Sequence, residues 1–185
     1  MQLTPRLQSA IDLAARQHDG QKRKGFDLPY IVHPFSVALI VGEYLSEEDA
    51  LIAALLHDVL EDTKNYSAAD LSRDYGPHVR RLVEELSEDK ALPWRERKDQ
   101  HLNHLRSASE TALIITAADK IHNLASLAAV MATGQPADQT GVAAILEHSR
   151  WYFESVLDIC ATRLPAHPIR QRLQAAFDRA RPYFS

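Results

Sequence analysis

The chain has 185 residues, 45% of them hydrophobic and 25% charged, with 21 Lys+Arg against 25 Asp+Glu and a formal net charge of −4. That is room for one ordinary globular domain. The charge balance argues against a general nucleic-acid binder, and the single cysteine, Cys160, excludes an internal disulfide framework. No apolar run reaches the ~20 residues of a bilayer span, and the amphipathic, mixed-charge N-terminus lacks the apolar core of a signal peptide. A cytoplasmic protein with neither a membrane nor a nucleic-acid partner is expected. The unusual count is histidine, nine in all.

Glycine is scarce and strand-like alternation nearly absent, whereas helix punctuation recurs. Thr4-Pro5 reads as a cap and a first-turn proline, followed by Leu7, Ile11, Ala14 and Ala15 at helical spacing until Gly20. Residues 20–29, GQKRKGFDLP, form a polar, basic loop. Pro34 opens a second helix with Val37, Ile40, Val41 and Tyr44 on one side. Ser46 is the expected cap of a third helix, whose first turn carries Glu47, Glu48 and Asp49 where the helix dipole favours negative charge. This helix is expected to continue through ALIAALLHDVLED.

Ser67 to Tyr75 reads as a short helix ended by Gly76, and Pro77 starts the next, to about Leu86. Pro93 to Leu105 is a strongly charged helix. Ser109-Glu110 opens TALIITAADKIHNLASLAAVMA, the most apolar stretch and therefore a central buried helix, broken by Gly134 and Pro136. Two helices, at about 138–164 and 168–183, close the chain. The pattern predicts an all-α fold, an irregular orthogonal bundle of eight to ten helices forming a single domain over residues 1–185.

Two places break the apolar pattern. In AALLHDVLEDT, His57 and Glu61 are four apart, as are Asp58 and Asp62, so each pair shares a helix face. Several carboxylates crowded onto an otherwise buried helix repel one another unless a cation neutralises them. In ALIITAADKIHNL, Asp119 sits deep in the most apolar helix with Asn123 on the same face. Lys120 is adjacent to Asp119, and an adjacent residue points about 100° away around a helix, which argues against it as the partner. His33, just before Pro34, is held near a helix start. His33, His57, Asp58 and Asp119 together offer two imidazole nitrogens and two carboxylates, a set that suits octahedral Mn²⁺ or Fe²⁺ with positions left open. Such an ion makes a nucleophile of water, and Glu61 and Asp62 lie one turn beyond, close enough to orient or deprotonate it.

These residues resemble the ligand pattern of HD-superfamily metal-dependent phosphohydrolases: a His, then His-Asp, then a distant Asp, on an all-α fold. The strings RKGFDLPYIVHP, AALLHDVLEDT, LSEDK and AADKIHNL look like the hydrolase domain of the RelA/SpoT family, over about residues 10 to 127. The resemblance implies a small stand-alone alarmone hydrolase of the Mesh type, removing the 3′-pyrophosphate from ppGpp or pppGpp with one Mn²⁺, ahead of Fe²⁺ or Zn²⁺. It implies His33, His57, Asp58 and Asp119 as metal ligands and Glu61 and Asp62 as the pair that positions the attacking water.

It further implies Arg23 and Lys24 beside the nucleotide, with the arginine packed on the guanine, Tyr30 in the pocket wall and Asn123 at the ribose. Arg97 and Lys98 would face the pyrophosphate, and Lys90 of LSEDK joins the substrate-binding set. The basic clusters QKRKG and WRERK suit a polyanionic substrate on their own chemistry. Of the remaining histidines, His18, His78, His101, His104, His122 and His148 read as surface or ordinary structural residues, with His101 and His104 within reach of phosphate on the charged helix. Two departures from the family pattern stand out: the link Gly25-Phe26-Asp27-Leu28 is longer and more apolar, and Ala125 replaces an arginine. Alternatives are an HD enzyme acting on a dNTP, a nucleoside monophosphate or NADPH, and a catalytically silent nucleotide-binding module. The intact ligand set and acidic pair argue against the silent module. The oligomeric state, a homodimer included, stays open.

Overall fold

The computed structural model describes residues 2–25, 27–63, 65–134 and 142–184. Among the described residues it is all-α: ten α-helices and a closing 3-10 turn, with no β-structure beyond an isolated antiparallel bridge between Lys22 and Pro29. In chain order the helices are α1 (Pro5–Gln17), α2 (Val32–Gly42), α3 (Glu48–Leu56), α4 (Val59–Asp62), α5 (Ala68–Leu86), α6 (Trp94–Leu105), α7 (Glu110–Ala132), α8 (Ala143–His148), α9 (Arg150–Arg163) and α10 (Ile169–Ala180).

Several boundaries follow from local chemistry. Thr4 caps α1 by accepting from the Leu7 N–H at 3.1 Å, and Ser109 caps α7 by accepting from that of Ala112 at 3.2 Å. Ser67 and Asp70 form a reciprocal capping box at the start of α5. Gly76 breaks α5 in the middle at φ 89°, ψ 164°, a conformation open essentially to glycine alone. The Gly76-Pro77 signal thus marks a kink between two helical halves.

Four boundaries differ from the sequence expectation. α2 begins at Val32, so His33 lies inside its first turn and Pro34 follows within that turn, where a missing N–H costs nothing. Ser46 is not the cap of α3: Glu47 holds that position without a side-chain hydrogen bond, and Glu48 and Asp49 are bound by Arg6 at 2.8 and 2.6 Å. The third helix does not run through ALIAALLHDVLED; it stops at Leu56, turns at His57-Asp58 and resumes as the single-turn α4. The expected helix over about 138–164 is two helices, α8 and α9, divided at Ser149; its expected start lies outside the described residues.

α7 is the central element. Every residue from Ala112 to Asp119 is buried, and the helix packs most heavily against α10 and α2. α7 is long and apolar enough, by length and composition alone, to cross a bilayer, yet 61% of its most apolar window is buried inside the protein, the environment of a core helix. α2 packs against both α3 and α7. That three-way contact carries His33 to the end of α3 and to the middle of α7.

Candidate metal centre

The three-way contact of α2, α3 and α7 brings the polar exceptions of the sequence together. His33 and His57 are 2% and 5% exposed, and the ligand atoms of His33, His57 and Asp58 lie within 4.8 Å of one another. His33 Nε2 is 3.1 Å from Asp119 Oδ1 and 3.6 Å from Asp58 Oδ2; His57 Nε2 is 3.1 Å from Asp58 Oδ2. Asp119 joins the cluster through His33, while Asn123 donates to its Oδ1 and Lys120 to its Oδ2, both at 2.5 Å. The turn at His57-Asp58 is what lets both side chains enter one cluster, since consecutive residues of an unbroken helix diverge.

The donor set fits a divalent metal ion. His57 Nδ1 lies 2.7 Å from the Ala54 carbonyl oxygen and must donate to it, so in the neutral ring it is Nε2 that carries the lone pair. That buried Nε2 has no hydrogen-bond partner and faces the Asp58 carboxylate. A lone pair against a carboxylate in a dry site is repulsive unless positive charge lies between them. A backbone carbonyl fixing the outer ring nitrogen is the usual support of a ligating histidine.

The electrostatics carry the same demand for positive charge. Burial alone pushes His57 down, but the Asp58 carboxylate outweighs it and pulls the imidazole up to about 9. Burial likewise works against the charge of Asp58, and His57 and His33 hold its carboxyl well below the usual range. Asp119 is held low by Lys120 and His33 against the same burial. Glu61 moves the other way: burial, then the charge of Asp58, pushes it up to about 7.

A cavity of about 660 Å³ opens on this cluster. One wall carries Arg23, Lys24 and Tyr30 from the loop before α2, with Asn123 from α7. Arg23 Nη2 donates to Asn123 Oδ1 at 2.9 Å, its guanidinium stands 5.6 Å over the Tyr30 ring, and the Tyr30 hydroxyl donates to Asp58 Oδ2 at 2.6 Å. The opposite wall carries Lys90, Arg97 and Lys98. Between the walls are Glu61, whose Oε1 accepts from the Glu88 N–H at 2.8 Å, and Asp62, paired with Lys90. Every residue the sequence assigned to metal, water or substrate therefore lines one cavity. Of the atypical loop Gly25–Leu28, Phe26 lies outside the described residues.

The sequence reading erred on three residues, Lys120, His122 and His104, whereas His101 does reach the cavity. Lys120 does bind Asp119: the angular argument concerns where Cβ points, and a four-carbon side chain curls back past it. His122 is not peripheral, since its Nδ1 lies 2.8 Å from His33 Nδ1. His101 is 4% exposed and lines the cavity with both ring nitrogens lacking a hydrogen bond, and burial with the charge of Lys120 pushes it down to about 4. His104, expected within reach of phosphate, lines a separate groove with Arg81, Glu84 and Glu85. Glu88 escaped notice although its string LSEDK was marked; nothing local in the sequence distinguishes it from Asp89.

Residues 10–147 match the family model described as the HD domain. The chain is 40% identical to the guanosine-3′,5′-bis(diphosphate) 3′-pyrophosphohydrolase MESH1 of Mus musculus over 131 residues, 69% of this chain and 73% of that protein. It is 32% identical to the MESH1 of Danio rerio over 175 residues, 92% of each. Among solved structures, one reported as "a metazoan ortholog of SpoT" that "hydrolyzes ppGpp and plays a role in starvation responses" superposes with a TM-score of 0.81. The identity there is 30%, over 96% of this chain and 97% of that one.

Proposed function

The chain belongs to the HD domain family, and on that premise we propose that it removes the 3′-pyrophosphate from ppGpp and pppGpp, giving GDP or GTP and pyrophosphate. The observation that carries this reading is the single cavity in which a cluster of histidines and carboxylates, an acidic pair and two cationic walls face one another. We read residues 1–185 as one HD-type unit acting in the cytoplasm on a small nucleotide.

His33, His57, Asp58 and Asp119 are the residues that would hold the ion. Nitrogen and carboxylate donors without thiolate favour Mn²⁺. When bound, the ion supplies Lewis acidity and positive charge at the reacting phosphate. The remaining work falls to the chain itself. Glu61, poised at about 7, accepts a proton from the attacking water. Asp62, fixed by Lys90, orients that water. The water oxygen bonds to the 3′-linked phosphorus, the bond from phosphorus to the ribose 3′-oxygen breaks, and that oxygen takes a proton from solvent to leave as the 3′-hydroxyl of GDP or GTP. Arg97 and Lys98 offset the charge on the pyrophosphate. Arg23, held by Asn123 and Tyr30, presents its guanidinium plane to the base, and Asn123 lies beside it for the ribose.

Pyrophosphate release from ppGpp, measured in the Mn²⁺-loaded protein and again with EDTA, tests this. Release that EDTA abolishes is expected. No release, or release indifferent to EDTA, overturns it, and turnover of another nucleotide in place of ppGpp reassigns the substrate.

A further inference from the structure

Glu88 stands where the acidic and basic halves of the cavity meet. Its main-chain N–H donates to Glu61 Oε1 at 2.8 Å. Its carboxylate, 8% exposed, accepts from Lys98 Nζ at 2.6 and 3.0 Å, and Arg97 Nε stands 2.9 Å from Oε2 as an ion pair without hydrogen-bond alignment. We propose that Glu88 is a positioning residue: it sets Lys98 and Arg97 in register with Glu61, so that the cations meet the pyrophosphate of the substrate while the acid meets the water. This rests on the reading of the cavity as a pyrophosphohydrolase site.

The donor inventory supports it. A lysine has three N–H donors and an arginine five. Glu88 occupies two directions of Lys98 and approaches Arg97 at Nε, leaving the terminal fork of the guanidinium for phosphate oxygens. Lys98 and Lys120 both lie beside the ring of Tyr152, at 4.7 and 5.3 Å from its centroid, and burial with the charge of Lys120 lowers the pKa of Lys98. Without Glu88 these like charges would repel, and Lys98, on a flexible stem, would swing away. Burial works against a charged Glu88, and Lys98 and Lys120 outweigh it, so the carboxylate stays ionised.

The sign of one measurement separates this role from its opposite. If Glu88 merely competed with substrate for the two cations, removing its charge would tighten pyrophosphate binding; if it presents them, removal weakens binding. The Glu61 contact uses the main-chain N–H, which Gln and Asp at 88 retain.

The test titrates inorganic pyrophosphate calorimetrically into the full-length, Mn²⁺-loaded wild type, Glu88→Gln, Lys98→Met and the double variant, with ppGpp kinetics alongside. Glu88→Gln is expected to weaken pyrophosphate about tenfold, as for loss of a charge-assisted hydrogen bond, and to raise KM more than it lowers kcat. On the Lys98→Met background it should add less than in the wild type, because only the Arg97 contact remains to be lost. Glu88→Asp should recover most of the affinity. Unchanged or tighter binding in Glu88→Gln, an additive loss in the double variant, or a wild type that does not bind pyrophosphate overturns the proposal. Should Glu88→Gln not fold, the cycle is run with Glu88→Asp, whose small residual loss of affinity must likewise shrink when Lys98 is absent. A wild type that binds pyrophosphate but leaves ppGpp intact defeats the substrate assignment, while the titration still decides the role of Glu88.

Discussion

The Nδ1 atoms of His33 and His122 lie 2.8 Å apart, so one ring must donate and the other accept. To hold a metal ion, His33 must offer the lone pair of the Nε2 it turns to the cluster, which makes its Nδ1 the donor to His122. Burial, then the charge of His33, pushes His122 down to about 4 and keeps it neutral, a competent acceptor. His122 therefore fixes the tautomer and ring angle of a residue that would hold the metal. Loss of such outer support weakens metal affinity by about 10–100-fold. His122→Phe is expected to fall in that range, read as the Mn²⁺ dissociation constant.

Asp58 and Asp62 should separate metal binding from turnover. Asp58 lies in the cluster, whereas Asp62 pairs with Lys90 on the wall. Asp58→Asn is expected to lose both metal and activity; Asp62→Asn should keep its metal and lose at least about tenfold in rate, within the usual span of a lost acid–base contribution. Metal content after dialysis, set beside kcat, checks it, and equal metal loss in both would sink the division.

Glu61 sets the sign of the pH dependence. Its carboxyl, pushed up to about 7, accepts a proton only when ionised, so activity should fall as pH drops through about 7. The raised pKa also makes the folded protein gain stability from Glu61 protonation as pH falls, and lose that gain as pH rises through about 7. Glu61→Gln should abolish the acidic limb from whatever rate remains in a kcat/KM profile between pH 5 and 9.

Arg23 and Lys24 line the cavity from the loop before α2. Replacing both with Ala should raise KM more than it lowers kcat, since a contact made equally in ground and transition states is lost from both. The residues lie on a partly exposed loop, where substitutions usually stay within about 0.5 kcal/mol. Steady-state kinetics and a melting curve together check this; wild-type KM in the double variant would place the base elsewhere.

Gly76→Ala isolates a purely conformational cost. An added Cβ there meets nothing within 4 Å, yet φ is 89°. The expected destabilisation is about 1–3 kcal/mol, from urea unfolding, with ppGpp kinetics unchanged in the folded protein.

The residues that announced themselves in the sequence did so by local contradiction. Asp119 in an apolar helix, His57-Asp58 in another, and Thr4, Ser67 and Ser109 ahead of helical runs are each legible within a few neighbours. The turn at His57-Asp58 was not, because ALIAALLHDVLED keeps its apolar spacing across the break. Glu88 was not, because its meaning lies in Lys98 and Glu61, ten and twenty-seven residues away. His122 was hidden by the same distance: only the packing of α2 on α7 gives it a partner.

The cluster of His33, His57, Asp58 and Asp119 draws on α2, the α3–α4 turn and α7, elements far apart along the chain. An ion held there is a crosslink that exists only in the native state, because an unfolded chain cannot gather those four groups. Its binding energy then becomes resistance to unfolding, about 2.7 kcal/mol when free metal is a hundred times its dissociation constant. A chelator would thus act twice: it would halt the chemistry and shorten the life of the folded chain, coupling the abundance of the protein to the supply of metal around it.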